Sequence, residues 1–248
     1  MSEKDPLDPS NLELSVGDFA HKSIKGGLGA FPIVGSFLAE IFGLAKDSPY
    51  EKRKKIFMLA LAKKLELLAK ESKIDIEELK NNDEFLDIII QTYEIAIKNS
   101  QKAKLDLLQN CVIHTALGIK ITTDEKLLFL ELLSKITPSH YLVLKKLYEP
   151  EEMISNIVNE KHQLGLKNKK IYEVRLPAVL NEYIKYDKSI YDVIISDLKS
   201  WYLFNVSHSI HNVDETPEII IERMLSNMRQ WQTEFGKRFL SFVESPEK

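Results

Sequence analysis

The chain has 248 residues, 44 % hydrophobic and 29 % charged, with a formal net charge of −3. This composition supports a folded core and excludes an intrinsically disordered chain, and it offers no global attraction to nucleic acid or anionic lipid. A single cysteine, Cys111, excludes an internal disulfide, and the acidic N-terminus lacks the basic and apolar regions of a secretory signal; the expected location is cytoplasmic.

Residues 1–15 hold Pro6, Pro9 and four acidic groups and read as a loosely tied tail. Residues 16–45 contain six of the nine glycines, and no charge falls between Lys25 and Glu40. Ser48, Pro49 and Glu51 spell a helix start, with a helix expected to run to about Ser72. Its apolar side holds Ile56 and Leu59, and its wet side Lys63, Glu66 and Lys70. Asp75 caps a short helix with Ile76 and Leu79 inside.

Asn82 or Asp83 opens what reads as the longest helix, with Phe85, Ile88, Ile89, Tyr93, Ala96 and Ile97 as its buried stripe. After a polar patch at Lys98–Lys104 the stripe resumes at Leu105, Leu108, Val112 and Ala116, and Gly118 is the stop. Thr122–Glu125 caps a helix through Ile136, and Thr137-Pro138 starts another that Glu149-Pro150 breaks. Helical patterns then cover about 151–164, Leu176–Ile184, Ser189–Leu203 and Thr216–Met228, with a basic loop at Lys167–Lys170. Tyr202–Ile210 and Met228–Thr233 alternate as short strands would, and Gly236–Phe242 reads as a last short helix.

In the second half, the order of short helices, the amphipathic helix Ser189–Leu203, a hairpin and the run Thr233-Glu234-Phe235-Gly236 resembles the tail of winged-helix domains. That resemblance implies that Ser189–Leu203 is a recognition helix and that Thr233 and Gly236 close the second wing strand. The helix start at Thr216-Pro217-Glu218 departs from the pattern, falling where the wing tip belongs. Upstream, Phe31–Gly35, the Lys52–Lys55 cluster before Ile56-Phe57, and Asn82–Phe85 are similar to uncharacterised bacterial proteins joining a Gly-rich apolar segment, a helical region and a winged-helix-like end. Some of these occur near defence genes, which implies a defence or stress setting.

The expected fold is therefore mostly α. A helical domain over residues 16–136, with a Gly-rich apolar segment at 26–45, precedes a winged-helix-like domain over 137–248 containing at most a small β-hairpin.

A DNA reader needs several Lys or Arg aimed at phosphates. Residues 141–248 hold fifteen Lys+Arg against sixteen Asp+Glu, and the expected recognition helix has Asp192, Asp197 and only Lys199. A protein partner is the favoured reading, with Trp201, Tyr202 and Lys199 as contact residues and core packing as the alternative for the aromatics. The uncharged run Gly26–Ala39 is shorter than the roughly 20 residues a bilayer crossing needs. It reads either as a buried element, broken at Pro32, or as a sheltered membrane-active one. In the second case Phe31, Ile33, Val34 and Phe37 contact lipid, with the basic Lys52, Arg53, Lys54 and Lys55 beside anionic headgroups.

His208 and His211 have a three-residue spacing that metal ligands use on a helix, but no Cys or further His lies nearby. Cys111 and His114 share the spacing, and the apolar neighbours Val112, Ile113, Ala116 and Leu117 read as the setting of a buried, inert thiol. The carboxylate pairs Glu77-Glu78, Glu151-Glu152 and Asp214-Glu215 sit at helix starts, where they complement the dipole. Phosphate-loop, nucleophile-elbow and zinc-protease patterns are absent from the sequence. The expectation is a non-enzymatic protein without catalytic residue, metal or cofactor; oligomeric state stays open.

Overall fold

Helix signals at fixed offsets from short polar caps set most element boundaries, as a computed structural model makes visible. It describes residues 31–35, 37–38, 49–151, 153–156, 184–205 and 217–246, with backbone alone at 49–52, 217–218 and 220. Within them lie nine helices with defined ends: α1 Pro49–Lys70, α2 Ile76–Lys80, α3 Asp83–Ile97, α4 Lys102–Ala116, α5 Thr123–Lys135, α6 Pro138–Tyr148, α7 Lys188–Ser200, α8 Pro217–Trp231 and α9 Glu234–Val243. The protein is mostly α. Two compact units divide inside α5: Met1–Leu130 with Glu244–Lys248, and Glu131–Val243.

In the first unit, α1 packs on α3 and α4, and α3 lies along α4. Phe57, Leu61 and Leu65 of α1 are buried, as are Phe85, Ile88 and Ile89 of α3. Every residue from Leu107 to Ile113 on α4 is buried, so this helix is enclosed on all sides. The single long helix expected over 82–117 is in fact two. Asn82 caps α3 by accepting the Phe85 amide at 3.0 Å. The helix ends at Ile97, where Asn99 Nδ2 donates to the Ile95 carbonyl at 2.6 Å. This side-chain bond adds to that of the Lys98 amide on the same carbonyl, closes the last turn, and α4 folds back. α4 then ends on Gly118 at φ +71°, with the Ile119 amide bonded to the His114 carbonyl at 3.0 Å. Only a residue without a Cβ adopts that left-handed turn freely.

In the second unit, α6 starts on a capping box. The Thr137 hydroxyl receives the His140 amide, and His140 Nδ1 receives the Thr137 amide. α7 and α8 both pack on α6, burying Val143, Leu144 and Leu147 against Tyr191, Ile194 and Leu198 on one side and Met224 and Met228 on the other. The strand expected at Met228–Thr233 is not formed: residues through Trp231 are helical, because Met224, Met228 and Trp231 share one buried face at helical spacing. A single antiparallel bridge, Phe204 with Gln232, is the only β pairing among the described residues.

A knot of hydrogen bonds surrounds that bridge. The Tyr148 hydroxyl donates to the Leu203 carbonyl at 2.6 Å and receives the Thr233 amide at 3.0 Å. The Thr233 hydroxyl donates to the Tyr202 carbonyl at 2.8 Å and receives the Gly236 amide at 2.9 Å, capping α9. Gly236 is required by close approach: a Cβ there would overlap the Tyr148 hydroxyl and the Leu203 carbonyl oxygen. The expected cap Ser48, residues 157–165, the Lys167–Lys170 loop, and residues 176–183 and 206–210 lie outside the described residues, while 151 and 153–156 of the helix expected over 151–164 are helical.

Candidate functional site: the outer face of α7

α7 is amphipathic. Asp187 caps it, accepting the Ser189 amide at 2.9 Å, and Tyr191, Ile194 and Leu198 face inward. The opposite face is open: Ser189, Ile190, Asp192, Val193, Ser196, Lys199 and Ser200 are all exposed. Ile190 and Val193 are each 57 % exposed. Lys188 pairs with Asp192 at 2.8 Å on the surface.

The helix ends on Trp201 and Tyr202. The Leu203 amide bonds to the Leu198 carbonyl at 3.1 Å and the Tyr202 amide to Lys199 at 3.0 Å, with Tyr202 at φ +61°. This is the left-handed C-terminal turn that glycine normally occupies. Tyr202 is nevertheless 70 % exposed.

Trp201 is half-buried, its ring 5.5 Å from that of His140. His140 Nε2 lies 3.3 Å from Asp197 Oδ2, and its Nδ1 lies 2.8 Å from the Thr137 hydroxyl. Hydroxyl, imidazole and carboxylate thus stand in the order of a nucleophilic triad. Here the hydroxyl and Nδ1 also carry the capping box, so the chain of bonds ties the start of α6 to the end of α7. Of the expected partner contacts, Lys199 and Tyr202 are exposed, and Trp201 lies beneath them against α6. Phe204, just beyond them in the chain, is buried.

The residues expected to contact lipid sit elsewhere, in the first unit. Phe31, Val34 and Phe37 are buried, while Ile33 is 39 % exposed. The Phe37 ring stacks on Phe85, with centroids 6.3 Å apart. Arg53 is exposed and Lys54 and Lys55 are half-buried, with Lys54 Nζ 5.5 Å over the Tyr93 ring; the side chain of Lys52 lies outside the described residues. The turn at Phe31–Val34 is held by a group that sequence reasoning assigned to water. Glu66 is 3 % exposed, and its Oε2 accepts the amides of Ile33 and Val34, each at 3.2 Å. Its Oε1 faces Lys70 Nζ at 3.3 Å. Beside this turn an open cleft of about 490 Å³ is lined by Ile33, Ala69, Ser72, Asp75 and Ile76. No signal local to Glu66 reveals the partner, which lies more than thirty residues upstream.

Cys111 is buried, and burial pushes its thiol well above the ordinary range. His114 Nε2 donates to the Glu244 carbonyl at 2.9 Å, and burial, partly offset by that carbonyl, holds its pKa below the ordinary value. Glu77 and Glu78 are exposed at the start of α2, and Glu151 lies 3.6 Å from Arg229 on the surface. His208, His211, Glu152, Asp214 and Glu215 lie outside the described residues. Among the described residues no group of three or more His, Cys, Asp or Glu could hold a metal ion, and no single helix is long and apolar enough to cross a membrane. No protein-family model, curated protein or solved structure matches the chain.

Proposed function

We propose that the chain is a non-enzymatic interaction protein that binds a protein partner through the outer face of α7 and the Tyr202 turn that ends it. The observation that carries this reading is the conformation of Tyr202. An L-residue in the left-handed region costs about 1–2 kcal/mol, and the fold uses only the backbone groups of Tyr202, its amide to Lys199 and its carbonyl to Thr233, which glycine would supply equally well. A strained, exposed aromatic beside Ile190 and Val193 is accounted for by a contact surface, where tyrosine supplies area with few torsions to freeze. Lys199 sits at the rim of that surface, and Trp201 props it from below against His140.

The same unit supports a winged-helix order: α6, then α7, then the Phe204–Gln232 bridge, closed by Thr233 and Gly236, with α8 in place of the wing. On that order α7 stands where a recognition helix would. Its outer face offers Lys188 and Lys199 against Asp192, a poor match to phosphates and a better one to protein. The proposed setting is the bacterial defence or stress system that the resemblance implies.

The test is affinity capture from the native host with two variants. Tyr202→Gly relieves the strained turn and is expected to raise stability by about 0.5–1 kcal/mol in urea unfolding, while losing the partner. Val193→Glu is expected to leave circular dichroism unchanged and to lose the same partner. Retention of the captured protein by both variants rejects the reading.

A further inference from the structure

The exposed side of α7 has the spacing of a helix-pairing seam. Ser189, Val193, Ser196 and Ser200 follow one another at four, three and four residues, the interval of coiled-coil core positions. All four are exposed. One flank of this seam carries Asp192 and Lys199, seven residues apart, and the other carries Ile190 and Asp197.

We infer that this face pairs antiparallel with the same face of a second copy of the chain. The inference rests on the reading of α7 as a protein-contact surface and names its occupant. Serines along the seam let two helix axes approach closely, with Val193 and Ile190 supplying the apolar contact. Antiparallel pairing brings like flanks together. A two-fold axis between positions 195 and 196 sets Asp192 opposite Lys199 of the second copy, and Lys199 opposite Asp192 of the second copy. One self-complementary contact therefore makes two ion pairs. Parallel pairing would instead bring Asp192 against Asp197 of the second copy, like charge to like, so the charge pattern selects orientation. Asp192 pairs through Oδ2 with Lys188 on its own helix, and its Oδ1, with no hydrogen bond among the described residues, is placed to accept Lys199 of the second copy. No acidic side chain among the described residues pairs with Lys199. One helix against one helix is a small interface, and the pairing is expected to be weak, with a micromolar dissociation constant.

Sedimentation velocity on the full chain, at concentrations up to about 200 µM, tests this. A reversible dimer is expected, with Asp192→Lys or Lys199→Asp each raising its dissociation constant by about tenfold. The double variant is expected to restore it. As a second readout, Ser196→Cys, next to the two-fold axis, is expected to give a covalent dimer on mild oxidation, and Ser189→Cys is not. A chain that stays monomeric, or a dimer indifferent to both charge reversals and to the position of the cysteine, overturns the inference. A monomer whose captured partner is still lost on Val193→Glu overturns only the second copy and keeps the broader reading.

Discussion

Glu66 shows how far one residue can depart from its pattern. Placed among Lys63, Lys70 and Glu71, it reads as part of a wet face. The fold takes it inside because the Phe31–Val34 turn presents two backbone amides with no helical carbonyl to receive them, and one carboxylate oxygen satisfies both. Lys70, more than half exposed, balances the other oxygen from the rim. Glu66→Ala leaves two amides without an acceptor and is expected to cost about 2 kcal/mol in urea unfolding. Glu66→Gln keeps one acceptor oxygen and is expected to cost about half as much. Equal losses from the two variants would show that charge, not acceptance, holds the turn.

At the scale of elements, two misreadings share a cause. The apolar stripe on α3 and that on α4 are both genuine, so their periodicity runs on across residues 98–101 and conceals the reversal. The break lies in Asn99, which bonds back to Ile95 inside what looks like a merely polar patch. Likewise, alternation at Met228–Thr233 fits a strand over six residues, but the longer interval Met224, Met228, Trp231 is helical, and burial follows the longer interval. The sequence reads Gly236–Phe242 as a short helix, and α9 spans Glu234–Val243; what docks it is the close approach at Gly236. Gly236→Ala forces the added methyl into the Tyr148 hydroxyl and the Leu203 backbone. It is expected to cost about 3 kcal/mol and to lower the thermal midpoint, whereas Gly118→Ala meets open space and suffers only its left-handed strain.

For the whole molecule, the governing facts are a net charge of −3 and two units that each have their own core. Non-specific affinity for DNA grows with the number of phosphates neutralised. With α7 offering two lysines and one aspartate outward, fluorescence anisotropy on duplex DNA is expected to show no binding at physiological salt and only a shallow salt slope below it. A steep slope would return α7 to a role in reading DNA.

The sequence by itself determined the helical class and most helix ends. Asp75, Asn82, Thr137 and Gly118 act through bonds within one turn of themselves, so their chemistry is legible without a fold. Of Trp201, Tyr202 and Lys199, which the sequence singled out, Tyr202 and Lys199 are exposed and Trp201 is half-buried. Only the tertiary structure decided that Glu66 turns inward, that α3 and α4 fold back on each other, and that Tyr202 is strained as well as exposed. Glu66 is placed by amides more than thirty residues away, which leave no trace in local spacing. The reversal at Asn99 and the turn at Tyr202 rest on local bonds, but the pairing of α3 with α4 and the Thr233 hydroxyl on the Tyr202 carbonyl come from the fold.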